Sequence, residues 1–340
     1  MESKAKEFLK RLVETPSPSG FERIVQNLVK DYLKNFIDRI EIDIHGNLIA
    51  IKNPSGIPKI MLGAHCDEVG FQVKYISEEG FIFFQTIGAP YIHSLHGQKV
   101  IILNKKRCVK GVICKKKIDK AEDLKINSFW IDIGAKNKEE AEKFVSIGDP
   151  IAFSSSFTEL LEGKNIMAKG FDDKIGVFVI AETMRLLSKE KIKSSVYGVS
   201  TVQEEIGSRG AWMASFKIKP DIAIVVEVME CSDYPDTEKR IMGDIRLGKG
   251  PVLQIGPNIT PTLGEFLIET AKKEKIPYQI DAAAGPTPTD ASVIQIIQGG
   301  IATALLRIPL RYMHTSGEIV SQDDVKNAIK LLTLSIKNMF

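Results

Sequence analysis

Two histidines and a set of carboxylates recur at one kind of place in this sequence, beside short apolar runs. His65 and Asp67 follow KIMLGA, and Asp172 and Asp173 precede IGVFVIAE. Glu204 and Glu205 follow SVYGVSTVQ, Glu227 follows DIAIVV, and His314 comes after IATALLRI. Imidazole nitrogen with carboxylate oxygen is the donor set of a borderline divalent cation, zinc above all. Two adjacent glutamates at the end of a buried strand repel each other and lose hydration, a cost that a nearby cation removes. In the HxD spacing, the Asp67 carboxylate can accept a hydrogen bond from the second ring nitrogen of His65 and so fix its tautomer. Each residue alone has a plainer reading. A histidine after a strand is a loop residue, Asp172 and Asp173 cap a helix, the glutamates form a solvated turn, and Glu227 pairs with a lysine. One cation cluster accounts for all of them together.

The surrounding pattern supplies the elements that must carry these groups. Ala5, Phe8, Leu9, Leu12 and Val13 predict a helix over residues 3–14, and Val25 to Phe36 predict a second. RIEIDI and NLIAI flank His45-Gly46 as a hairpin, and KIMLGAH reads as a buried strand. From about Val69 to Phe153 short β runs alternate with turns (FQVKYI, FIFFQTI, QKVIIL, KGVICKK, PIAFSS), which predicts an inserted β-rich module. After Lys169 strands and helices alternate, the pattern of a mixed, mostly parallel sheet covered on both faces. Ligands of such sheets bind beyond the carboxyl ends of the strands, which is where the histidines and carboxylates fall.

With 340 residues the chain has room for two domains. A net charge of +3 from 46 basic and 43 acidic residues argues against a dedicated nucleic-acid partner. The four cysteines form no CxxC pair and read as reduced. No apolar run is long enough to span a membrane, and the charged, amphipathic start is unlike a secretion signal. A soluble cytoplasmic protein is expected.

GAHCDEVGFQV, KGFDDKIG, VQEEIGSRGA and RYMHT, in that order, resemble the cellulase M and glutamyl aminopeptidase family of dinuclear metallo-aminopeptidases, which includes the tetrahedral aminopeptidases. The resemblance covers essentially the whole chain. It implies an α/β fold of the zinc-peptidase kind, a mixed, mostly parallel sheet flanked by helices, with an inserted small β-barrel-like domain. Residues 1–68 and 164–340 would form the catalytic domain, and 69–163 a dimerisation domain. Two divalent ions per subunit, zinc or cobalt, are implied. His65 and His314 would each hold one, Asp172 would bridge both, and Glu205 and Glu227 would be terminal ligands. Glu204 would be the general base, with Asp67 as its catalytic companion behind His65. The implied reaction removes N-terminal residues from short peptides by metal-activated water. Homo-oligomers, dimers or dodecamers built from them, are expected.

One position departs from the family pattern: Glu227 stands where aspartate is usual. It keeps open a related metallo-carboxypeptidase or deacylase. An endoglucanase-type glycoside hydrolase, which the family label also carries, and an inactive assembly-forming homologue complete the alternatives. A glycosidase needs two opposed carboxylates rather than carboxylates with histidines. Elsewhere, GPTPTDAS, residues 285–292, is a candidate pocket wall, but the sequence favours a turn whose Thr289 or Asp290 caps the following helix. Ser208 to Gly210 should start a helix, and Arg311 and Tyr312 should hold the His314 loop.

Overall fold

The computed structural model describes residues 2–118 and 120–339. Helix α1 (Ser3–Glu14) buries the five apolar residues whose spacing predicts it. Helix α2 (Arg23–Leu33) buries Val25, Val29 and Leu33, then ends in a turn in which the Phe36 amide donates to the Leu33 carbonyl. The apolar spacing continues to Phe36, but the backbone leaves the helix first. Strands β1 (Arg39–Ile42) and β2 (Leu48–Lys52) form the expected hairpin. Strand β3 (Lys59–His65) is buried from its second residue onward.

The chain then leaves the sheet. Strands β4 (Gly70–Ile76), β5 (Ile82–Ile87), β6 (Lys99–Asn104), β7 (Arg107–Lys115), β8 (Phe129–Asp132) and β9 (Pro150–Phe153) close into a barrel in the order β4-β5-β8-β7-β6-β9. Its own core includes Phe71, edge-on to Phe84 and Phe153, with Val100, Ile113 and Ile131. The short helix α3 (Lys138–Glu142), capped by Asn137, packs beside β4.

The chain returns through β10 (Thr158–Leu160) and β11 (Asn165–Ala168), already part of the large sheet. There follow α4 (Phe171–Leu187), β12 (Ser195–Thr201), α5 (Arg209–Ile218), β13 (Ile222–Glu230), α6 (Lys239–Met242), β14 (Val252–Ile255) and α7 (Pro261–Lys273). The last elements are β15 (Gln279–Ala282), α8 (Asp290–Ile296), β16 (Ala302–Arg311), β17 (Glu318–Ser321) and α9 (Gln322–Asn338). The large sheet is mixed, with a parallel centre β12-β3-β13-β16 and antiparallel flanks. Helices α1, α2, α4, α7 and α9 pack one face, and α5 and α8 the other. Being covered on both faces, the central strands read as unbroken apolar runs. None of the described helices is long and apolar enough to cross a membrane.

Candidate metal centre

Parallel register brings the polar ends together. Thr201 of β12 lies opposite His65 of β3, so the glutamate pair that follows β12 emerges beside His65. Asp172 sits in the first turn of α4, Glu227 on β13, and His314 on the β16–β17 loop. His65 Nε2 lies 3.2 Å from Asp172 Oδ1 and 3.5 Å from Glu227 Oε1. His314 Nε2 lies 3.1 Å from Asp172 Oδ2 and 3.6 Å from Glu205 Oε2. Asp172 therefore turns one oxygen to each imidazole. Two donor groups result, His65 with Asp173 and Glu227, and His314 with Asp172 and Glu205, each gathered within 4.8 Å. Asp173, which sequence alone assigns to a cap, does cap: Oδ1 accepts the Gly176 amide at 3.1 Å. Its other oxygen is buried without a partner.

The ring nitrogens facing away from the carboxylates are fixed by main-chain carbonyls. His65 Nδ1 lies 3.1 Å from the Asp67 carbonyl, with the Asp67 carboxylate farther off at 3.5 Å. His314 Nδ1 lies 2.9 Å from the Ala89 carbonyl, which comes from the barrel. Both contacts suit the tautomer whose Nε2 lone pair faces the carboxylates. The Asp67 carboxylate is occupied mainly elsewhere. It accepts the amides of Glu204 at 3.0 Å and Glu205 at 3.1 Å, and the Ser19 hydroxyl at 2.7 Å. One buried aspartate thus sets the backbone of the glutamate pair and sends the two side chains to different imidazoles. Gly88, at φ 68°, lets the barrel backbone approach; a Cβ there would sit 3.2 Å from the Glu205 side chain.

Two further anchors hold the ligands, the one at Arg311 and Tyr312 expected from the sequence and the one at Glu318 without a sequence signal. Arg311 grips Asp233 with two bonds of 2.7 Å, and Glu230 accepts the Tyr312 and Met313 amides, so the His314 loop is held from β13 and the segment after it. Buried Glu318 accepts the His314 amide at 2.9 Å and the Asp172 amide at 3.1 Å, joining one residue from each side of the centre. Glu318→Gln replaces one acceptor by a donor. Zinc affinity, followed against a chromophoric chelator, should fall about 10- to 100-fold; an unchanged affinity would remove Glu318 from this role.

Electrostatics identify what the cluster lacks. Burial pushes Glu204 up to about 9, against the pull of His65 and with the help of Glu227, Asp290 and Asp67. Burial, then the charge of Asp172, raises Glu205 well above the carboxylate range, and burial with Glu227 does the same to Asp173. Burial alone would lower His65, yet Glu227 and its hydrogen-bonding neighbours lift it well above the usual imidazole value. Burial works against ionised Asp172, but His314 and His65 hold its carboxyl far below the ordinary range. The nearby cations Lys169 and Lys174 are taken by buried Glu68, at 2.7 and 3.2 Å. Without positive charge from elsewhere, this centre must hold protons. Two imidazoles, four buried carboxylates and correctly turned ring nitrogens fit divalent cations.

The centre opens into a cavity of about 440 Å³. Thr287, Pro288, Thr289 and Ser292 form one wall. The segment expected chiefly to cap α8 therefore lines the pocket: Thr289 makes no side-chain cap bond, because its hydroxyl meets Thr287 at 2.9 Å, while Asp290 accepts the Thr201 hydroxyl at 2.6 Å. Helix α5 starts at Arg209 as expected, and Ser208 just before it lines the cavity.

The sequence pattern of the M42 glutamyl aminopeptidases matches residues 46–331. The chain belongs to the M42 glutamyl aminopeptidase family. It is a hydrolase, a metallo-aminopeptidase, and divalent metal use comes with that membership. A lysyl aminopeptidase of Pyrococcus furiosus is 38% identical over 334 residues, covering 96% of this chain and 94% of the relative. A crystal structure of a TET aminopeptidase from a marine sediment Thaumarchaeota archaeon is 36% identical, with a TM-score of 0.94, covering 99% of this chain and 96% of that one. The Pyrococcus horikoshii TET1 peptidase, which can assemble into a tetrahedron or a large octahedral shell, is 28% identical with a TM-score of 0.87, covering 98% and 99%.

Proposed function

We propose that this chain removes single residues from the amino terminus of short peptides, using two divalent ions, zinc or cobalt, and Glu204 as general base. The observation that carries the reading is Asp172, one oxygen toward each imidazole, with Glu204 Oε2 4.0 Å from His65 Nε2 in the same cavity. His65 and Glu227 would hold one ion, His314 and Glu205 the other, and Asp172 both; Asp173 lies close enough to His65 and Glu227 to steady that side. Bound there, such ions lower the pKa of water and polarise the scissile carbonyl.

The protein's own groups do the rest. Glu204 takes the proton of the attacking water and returns it to the leaving amine. The Ser208 hydroxyl, donating to Glu204 Oε1 at 3.1 Å, leaves Oε2 for that exchange. Burial first, and then the uncompensated charge of Glu227, Asp290 and Asp67, keeps a proton on Glu204 at neutral pH. Its basicity is therefore tied to neutralisation of those carboxylates. Asp67 keeps its backbone in place.

The test pairs substrates. Peptides with a free amino terminus should be cleaved from that end, N-acetylated peptides should not, and a strict chelator should stop the reaction. Cleavage of the acetylated peptides from the carboxyl end would instead favour the carboxypeptidase reading that Glu227 keeps open.

We also assign the barrel module, strands β4 to β9, to subunit association, in line with the shells described for the P. horikoshii relative. Tyr75, Tyr91, Phe144 and Ile147 stand exposed on it, large apolar side chains available to such an interface. The four cysteines are all free, which agrees with a cytoplasmic location.

A further inference from the structure

The loop between β12 and α5 carries Glu204, Glu205 and Ser208, and a residue from the β1–β2 turn closes its neck. Asn47, fully buried, accepts the Val202 amide on Oδ1 at 3.1 Å and donates from Nδ2 to the Gly210 carbonyl at 3.0 Å. Val202 and Gly210 also meet directly, the Gly210 amide donating to the Val202 carbonyl at 2.9 Å. The fit is close. A Cβ at Gly210 would lie 2.4 Å from Asn47 Oδ1 and 2.3 Å from the Val202 carbonyl oxygen.

Asn47 is itself fixed. Its Nδ2 also donates to Asp43 Oδ2 at 2.9 Å, while Asp43 Oδ1 accepts the amides of His45, Gly46 and Asn47 at 2.9, 2.9 and 3.0 Å. Gln26 Nε2 ties this turn to the end of β12, donating to the Gly46 carbonyl at 3.0 Å and the Ser200 carbonyl at 2.8 Å. An asparagine side chain combines an acceptor oxygen with two N–H donors in one plane, and oxygen and both donors are used here. The hairpin turn is thus built as a bracket for a loop distant in sequence.

Inside the neck, Gln203 and Ser208 are left-handed without being glycine, at φ 57° and 50°. Such residues keep that conformation only where their surroundings impose it. Gln203 directly precedes Glu204, and Ser208 donates to its Oε1. Asp67 holds the amides of Glu204 and Glu205 at the tip, and Asn47 holds the stems. With the neck unpinned, the two left-handed residues are free to relax and to carry the Glu204 carboxyl with them. A shift of about 1 Å at a reacting group can cost about 100-fold in rate. Asn47 itself lies outside the cavity lining, so any effect it has on the reaction passes through the loop.

We propose that Asn47 is a positioning residue for the catalytic base: by closing the neck of the Val202–Gly210 loop it fixes where Glu204 presents Oε2 to the attacking water. This rests on the reading of Glu204 as general base.

The test is a pair of kinetic comparisons on the zinc-loaded enzyme with one aminoacyl p-nitroanilide. Asn47→Ala should lower kcat about 10- to 100-fold with KM little changed. Zinc content should stay near wild type, because Glu205 is the one ligand candidate on this loop. In a Glu204→Gln background the same substitution should change the residual kcat by less than about twofold, since no base remains to be misplaced. Asn47→Asp keeps an acceptor for Val202 but loses both donations and sets a second carboxylate against Asp43. It should follow Asn47→Ala and carries the test if that variant does not fold. Equal factors in the two backgrounds, an unchanged kcat, or loss of zinc in step with kcat would overturn the proposal and leave the role of Glu204 standing. Failure of both variants to fold, read by far-UV circular dichroism, would do the same by making Asn47 a residue of the fold alone. A fully active Glu204→Gln enzyme would instead remove the base, and this proposal with it.

Discussion

Glu204→Gln should lower kcat by about two to four orders of magnitude while the chain keeps its metal. The substitution is nearly isosteric. Its side-chain carbonyl oxygen can still accept the Ser208 hydroxyl, and the main-chain N–H of residue 204 still donates to Asp67. What disappears is the oxygen able to take a proton. Metal should be retained because Glu204 belongs to neither donor group, and its approach to His65, at 4.0 Å, is longer than those of Asp172 and Glu227. Substrate contacts are otherwise unaltered, so KM should move little while kcat collapses, the signature of a group acting in the transition state. Elemental analysis and steady-state kinetics on one preparation read both quantities. Turnover close to wild type would sink the assignment of the base. Loss of metal would place Glu204 among the ligands.

What sequence could reveal here, and what it could not, follows from how far each signal extends along the chain. The central strands announce themselves because burial on both faces forces continuous apolar runs, as in IMLGA of β3 and IAIVV of β13. The five ligand candidates and Glu204 follow or begin such elements, so their convergence could be argued from topology alone. Strands β8, β14, β15 and β17 are four residues each and carry polar members such as Gln254, Asp281 and Glu318. Their pairing is decided by neighbours distant in sequence, and no local period marks them. Glu318 and Asn47 were hidden for the same reason. A glutamate that holds two amides 146 and 4 residues away looks like any surface glutamate until the fold closes. Asn47 opens the NLIAI run after a hairpin turn, and nothing local marks its bonds to Val202 and Gly210. Asp67 was visible in HxD, but the spacing pointed to His65, whereas its shortest bonds reach across to Ser19 and the β12 loop.

The metal-free chain should lose stability as pH rises from about 5 to about 8, and saturating zinc should reverse the trend. The sign follows from the folded-state values. Burial, aided by neighbouring carboxylates against the pull of His65, raises Glu204 from 4.5 to about 9, and burial raises Asp290 from 3.8 to about 7. A carboxyl whose folded pKa exceeds its unfolded value contributes stability that is complete below the unfolded value and is lost as pH rises toward the folded one. Between those limits the folded chain binds the proton and the unfolded chain does not, so each such group removes about 1.4 kcal/mol per pH unit. Glu205 and Asp173, also raised, act in the same direction, as does His65, whose folded value lies above its unfolded one. Lys174, lowered to about 8 by burial despite Glu68, opposes this only above that pH, where its unfolded counterpart still binds a proton. Cations that fill the centre displace these protons, so their affinity and the stabilisation they confer should both grow with pH. Thermal unfolding in a strong chelator and in excess zinc, at several pH values below 8, gives the two slopes. A chelated protein whose melting temperature stays level across that window would mean that the carboxylates are not crowded in solution as they are around Asp172, and the metal centre drawn from them would fall with that result.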